Sequence, residues 1–162
     1  RTSGNHILLA CQRNGGWSMD RYAVTDWVSA TVKELRKYTD RPIIVRGHPG
    51  DKTAIRYLSQ QGVDWNLSRK EKITDEFSNA WATITHNSSP GVASAIEGIP
   101  VFVTDPNARV SQAYEVANTN LADIENPKTF ERQLWVEQLS MCHWKFEELS
   151  DGTAWNHMRR YV

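Results

Sequence analysis

The chain has 162 residues, 40% of them hydrophobic and 23% charged, with nineteen Lys and Arg balancing nineteen Asp and Glu. That length suits one ordinary domain burying about two-thirds of its unfolded surface and is too short for two, and the composition excludes disordered, collagen-like and coiled-coil classes. Zero net charge also excludes a protein held on nucleic acid or an anionic membrane by its overall field.

Short apolar runs alternate with helix-like stretches, the pattern of βα units building a parallel sheet. His6–Cys11 is predicted as a first strand, followed by the glycine-containing loop Gln12-Arg13-Asn14-Gly15-Gly16-Trp17-Ser18. Val24, Trp27, Val28, Val32 and Leu35 have the spacing of one helix face, which predicts a helix over Val24–Tyr38. Pro42–Val45 is a second strand leading into Arg46-Gly47-His48-Pro49-Gly50-Asp51, and Lys52–Gln61 is a short helix closed by Gly62. A third strand is expected within Val63–Leu67, a helix over Ile73–Trp81 and a fourth strand over Ala82–Thr85. His86-Asn87-Ser88-Ser89-Pro90-Gly91 opens a helix ending at Gly98, Ile99–Val103 is a fifth strand, and a polar loop spans Thr104–Ser111. The segment containing Leu121-Ala122-Asp123-Ile124 is ambiguous. After the break at Pro127, Thr129–Met141 and Lys145–Tyr161 are predicted as tryptophan-rich helices. Trp135, Trp144, Trp155 and Tyr161 are expected to anchor these helices to a core or a second domain rather than to stack on nucleic acid bases.

Cys11 and Cys142 form no CxxC pair, which fits a reducing compartment and places the chain in the cytoplasm. No apolar stretch approaches the roughly 18 residues of a membrane span, and no signal peptide opens the chain. Asn66-Leu67-Ser68 and Asn87-Ser88-Ser89 match the glycosylation acceptor pattern, a short match expected by chance. The chain begins at Arg1 rather than methionine, which raises the expectation of a longer protein with a partner domain.

Charge is unevenly divided: residues 1–81 carry thirteen basic and nine acidic side chains, residues 82–162 six and ten. A phosphate-bearing ligand would favour the first half, and scatter among solvated charges explains the split equally well. Parallel strands place their carboxyl ends on one edge, where ligands bind in open α/β folds. Three loops there carry phosphate-compatible chemistry. Ser88 or Ser89 can cap a helix and donate a hydroxyl to phosphate, Pro90 suits the first helical turn, and Gly91 admits a ligand to the backbone. The alternative is an ordinary Ser-Ser-Pro cap. Gly15 and Gly16 permit a tight turn, and Arg13 can make a bidentate phosphate contact, although the loop is neither GxGxxG nor Walker A. Arg46 and His48 place a cation and an imidazole just beyond a strand, and His48 can hold a phosphate or protonate a leaving group. His6, His143 and His157 lack metal-ligand spacing, so no metal is expected.

The run from Trp81 to Val103 resembles the donor-binding half of GT-B type glycosyltransferases, in which a strand leads to a Ser-rich, Gly-containing helix start. The Gly-x-Pro-Val turn into their next strand is matched by Gly98-Ile99-Pro100-Val101. His48-Pro49 is similar to the His-Pro pair of capsule-polysaccharide transferases and sugar-nucleotide 2-epimerases. The resemblance covers residues 5–125, and Gln12–Met19 with the tryptophan-rich tail is similar to phage-encoded proteins of this type.

The resemblance implies a Rossmann-like, doubly wound parallel sheet with a helical tail from about residue 128 to 162, forming one nucleotide-sugar-binding domain of a longer two-domain chain. It also implies a nucleotide diphosphate sugar as donor, no tightly bound cofactor, and an acceptor on a second domain. The diphosphate would rest on Asn87, Ser88, Ser89 and Gly91, with Arg13, Asn14, Gly15, Gly16 and Arg46 nearby and His48 assisting departure of the leaving group. A glutamate usually holds the donor ribose in these families; Ala93 stands at that position, leaving Ser94 or Glu97 to compensate. Epimerisation of a sugar nucleotide and a non-catalytic nucleotide- or protein-binding module are the alternatives. A DNA or glycan acceptor has no support from charge.

Overall fold

The computed structural model describes residues 3–15, 17–19, 22–62 and 64–161, with Trp17 described by its backbone alone. The chain separates into two compact units, Arg1–Phe130 and Glu131–Val162.

In the first unit, His6–Ala10 (β1) is followed by Val24–Leu35 (α1), Ile43–Arg46 (β2), Lys52–Gln61 (α2), Asn66–Leu67 (β3) and Ile73–Phe77 (α3). Ala80–Thr85 (β4), Pro90–Ile96 (α4), Val101–Val103 (β5) and Ala117–Asn118 (β6) complete it, with one-turn 3-10 helices in the longer loops. All five strand pairings are parallel, in the order β3-β2-β1-β4-β5-β6. This is a Rossmann-like α/β sheet. β1 is buried at every position because it is central and covered on both faces. Ile7 and Leu9 pack on one face with Val28, Val32 and Leu35 of α1 and Leu58 of α2; Leu8 packs on the other with Phe77, Ile99 and Ala93. The period-two alternation of a strand thus supplies both cores.

The expected strands and helices of the first unit are present with ends shifted by a few residues, β4 beginning two residues earlier than expected, and Lys52–Gln61 matches to the residue. Two differences have physical causes. Trp81, expected at a helix end, lies in β4: the register against β1 slips between His6 and Ile7, and the indole N–H bonds the Ile124 carbonyl at 2.7 Å. Arg41 covers that indole at 3.8 Å and pairs with Glu125, tying the segment after β6 to the start of β2. β6 escaped prediction because two residues, Ala117 and Asn118, carry no detectable periodicity. Val63, expected to open the third strand, lies outside the described residues.

The second unit contains Gln133–Ser140 (α5), Phe146–Ser150 (α6) and Thr153–Met158 (α7). The single helix expected over Lys145–Tyr161 is divided at Gly152, whose φ of 81° lies in the left-handed region that stops an α-helix. Trp135 is buried, the Trp144 ring lies tilted 5.2 Å from that of His157, and His157 in turn meets Tyr161 at 5.4 Å, while Trp155 and Tyr161 are 62% and 70% exposed. No helix among the described residues is long and apolar enough to cross a membrane.

Candidate functional site

The order of strands places β1 between β2 and β4, so the loops leaving β1 and β4 serve opposite faces of the sheet. Between them opens a crevice at the carboxyl ends, where open α/β sheets bind ligands. A cavity of about 390 Å³ occupies it. Its walls are Cys11–Arg13 and Ser18 from the β1 loop, Arg46–Pro49 from β2, Ser88–Pro90 from the β4 loop, and Ala10 and Ile73. The three loops singled out in the sequence therefore meet at one rim. Arg13, Arg46 and His48 are the ionisable nitrogen groups in the wall, and no carboxylate is among the lining residues described.

Each expected site residue has a distinct position. Arg13 is exposed, lines the cavity, and has no hydrogen bond among the described residues. His48 is exposed at the rim, and its Nδ1 accepts the Gly50 N–H at 3.1 Å, the arrangement of the tautomer that carries its proton on Nε2. Nε2 is thereby a donor. Ser88 lines the cavity with a buried hydroxyl that lacks a partner among the described residues, and Ser89 lines it while exposed. Neither serine side chain caps α4, contrary to expectation, because Ser89 already has helical φ and ψ.

Arg46 lines the cavity, yet much of its guanidinium is engaged elsewhere. Nη1 donates to the Ser68 hydroxyl (3.1 Å) and the Lys70 carbonyl (2.8 Å), and Nη2 donates to the Glu71 carbonyl (2.8 Å). The expected phosphate clamp is thus an anchor for the loop between β3 and α3. Ser68 in turn donates to Glu76, a buried carboxylate whose other oxygen lies 4.0 Å from His6 Nε2.

Several expected ligand contacts serve the protein itself. The Asn14 side-chain oxygen accepts the Val24 N–H at 3.1 Å, at the start of α1, and its own N–H donates to Asp51 at 2.8 Å. Both Asn87 amide protons are taken, by the Ser18 carbonyl and by Asp105. Ser94 is fully buried and donates to Thr83 Oγ1 at 2.8 Å, so it belongs to the packing of α4 on β4 and cannot replace a ribose-binding glutamate. Gly91 faces the sheet: a Cβ there would meet Val101 Cγ1 at 3.2 Å and Thr85 Oγ1 at 3.4 Å. Close helix-strand approach, rather than ligand access, explains that glycine. Gly15 has φ of 74°, as its turn requires, and Gly16 lies outside the described residues.

Sequence reasoning missed three supporting residues. Asp51 accepts from Ala54 N–H as the cap of α2 and from Asn14 N–H, joining the β2 loop to the β1 loop. Those two backbone bonds, with Arg13 and His48 nearby, hold its carboxyl below the usual aspartate range, the Ala54 bond contributing most. The Gln12 side chain accepts from Asn87 N–H and donates to Ser18 Oγ, both at 2.9 Å. Asp105 accepts from Asn87 and Asn107. A capping aspartate three residues before Ala54 was the legible signal; the others have none in a single sequence. Cys11 borders the cavity, but burial foremost, with Asp51 adding to it, pushes its thiol up to about 12, leaving it a poor nucleophile.

No protein-family model matches this chain, and no curated protein matches it.

Proposed function

We propose that the first unit binds the diphosphate of a nucleotide sugar in the cavity at the β1/β4 crevice and serves as the donor-binding part of a glycosyltransferase. One observation carries the reading: a cavity at the ligand-binding edge of the sheet, walled by Arg13, Arg46, His48 and two serines, with no carboxylate among its described lining residues. Such a wall favours an anion. Its volume of about 390 Å³ falls in the range of small-molecule sites.

Charge develops on the diphosphate as the glycosidic bond breaks, and donors fixed before that moment stabilise it most. Arg13 supplies the uncommitted guanidinium, His48 Nε2 an N–H that can donate to phosphate oxygen, and Ser88 and Ser89 neutral donors. Arg46 contributes positive potential while anchoring its loop. The acceptor and its base would come from a second domain, the arrangement expected from the sequence resemblance.

Calorimetric titration of the chain with UDP, GDP and their glucose conjugates tests this. Heat with at least one diphosphate is expected, and Arg13→Ala should weaken that binding by about 1.5–3 kcal/mol. No heat with any of them would replace the reading with a protein-binding module. A sugar nucleotide converted without an acceptor would favour epimerisation, and sugar transfer by the chain alone would reject the need for a second domain.

A further inference from the structure

The backbone ladder between β4 and β5 ends at the Asp105 N–H, which donates to the His86 carbonyl at 3.1 Å. Beyond that rung, side chains hold the loops together. Asp105 is 6% exposed, and a buried carboxylate requires donors to offset its lost hydration. Asn87 Nδ2 supplies one at 2.5 Å and the Asn107 N–H another at 2.7 Å, while His86 Nε2 lies 3.6 Å from the oxygen that Asn87 uses.

Asn87 is the link to the cavity. Its side chain also donates to the Ser18 carbonyl at 3.1 Å, and its backbone N–H donates to Gln12 Oε1 at 2.9 Å. Gln12 and Ser18 line the cavity, as do the next two residues along the chain, Ser88 and Ser89. With both amide protons occupied, Asn87 has no side-chain donor left for a ligand. It has the geometry of a strut.

We propose that Asp105 is the positioning residue of the serine loop, setting Ser88 and Ser89 at the cavity wall through Asn87 without touching the ligand. Its effect on binding rests on the diphosphate reading above; its effect on the loop does not. Replacing the carboxylate by an amide sets an N–H₂ against either the Asn87 amide or the Asn107 N–H, whichever way it turns. Both positions need an acceptor, so one bond is lost while shape is kept. The double substitution Asp105→Asn with Asn87→Asp reverses the bond between the side chains and restores that donor-acceptor pair, while the Ser18 carbonyl loses its donor, so the recovery is partial.

Two readouts separate this inference from the diphosphate reading: UDP affinity, and hydrogen exchange at the Asn87 backbone N–H compared with the amides of β1 and β4. Asp105→Asn should weaken UDP binding about tenfold or more and speed exchange at Asn87 by a similar factor, leaving the strands protected. The double substitution should recover part of both. Unchanged UDP affinity in Asp105→Asn would overturn the inference and leave the diphosphate reading intact. Equal acceleration throughout the sheet would also overturn it, by making Asp105 a general stabiliser. If the unaltered chain binds no UDP, the diphosphate reading fails and exchange alone decides: a rise confined to the loop supports positioning, and no rise refutes it. Should Asp105→Asn fail to fold, Asn87→Ala cuts the same strut and carries the same comparison.

Discussion

Arg46 offers the sharpest distinction between a ligand clamp and a structural anchor, because the two roles predict different losses on Arg46→Ala. As an anchor it makes three hydrogen bonds to the loop between β3 and α3, two of them to main-chain carbonyls. Each is partly open to water, so the net contribution lies near the ordinary 0.5–1.5 kcal/mol, and together they amount to about 2–3 kcal/mol. The substitution also removes the donor behind Ser68, whose hydroxyl serves the buried Glu76. Urea unfolding at pH 7, followed by circular dichroism and tryptophan fluorescence, should show that loss, equivalent to roughly 4–12 °C in Tm for a chain of this size. Arg46→Lys should recover less than half of it, since a single ammonium on a flexible stem cannot bridge three acceptors held in a fork. A stability loss below about 0.5 kcal/mol, the range of neutral surface changes, would refute the anchor.

Asp51→Ala removes the cap of α2 and the tie to Asn14, and should cost about 1–2 kcal/mol in urea unfolding. Because the folded carboxyl titrates below its usual range, the unfolded chain binds the proton more readily; this stability is present above about pH 4 and disappears as pH falls through the depressed folded value. Acid titration of the unaltered chain should show that slope, and Asp51→Ala should lack it. His6 titrates below the ordinary histidine range, chiefly from burial and against the opposing pull of Glu76. Its contribution is therefore complete above about pH 6.5 and falls as the unfolded chain takes up a proton below that. His6→Gln should flatten the decline in stability between about pH 7 and 5, and an unaltered slope would acquit His6. Iodoacetamide at pH 8 should label the exposed Cys142 in the folded protein and reach the buried Cys11 after urea unfolding, with mass spectrometry counting the adducts.

The parts legible in the sequence were those governed by short-range pattern. An all-apolar run such as Ile7–Ala10 can be a central parallel strand wherever helices alternate with it, and a loop following such a strand must reach the carboxyl edge. Arg13, His48, Ser88 and Ser89 therefore belong at one rim on the sequence pattern alone. What a side chain does at the rim was less legible, since it depends on partners distant in sequence. Arg46 turns to carbonyls more than twenty residues away, and Asn14 to the cap of α2 and the start of α1. Ser94 illustrates a second cause. α4 has seven residues, too few turns to reveal which face meets the sheet, so a serine packed on Thr83 is indistinguishable from one facing a ligand.

The distribution of these bonds has a consequence for how the cavity meets an anion. Gln12, Ser18 and the serine loop are joined across the crevice by Asn87, whose donors are already satisfied, so that wall keeps its arrangement without help from a ligand. On the opposite side, Asp51 fixes the main chain at Asn14, but the adjoining Arg13 guanidinium has no hydrogen bond among the described residues. Binding there must order a long side chain, at an entropic cost of about 1–2 kcal/mol against the charge-assisted contact. Affinity would thus draw most on Arg13, while selectivity for the shape of the anion would follow the preformed wall of Ser88 and Ser89. On the diphosphate reading proposed above, a wall already held by its own hydrogen bonds and facing an unbonded guanidinium would accept the ligand without requiring the whole crevice to close.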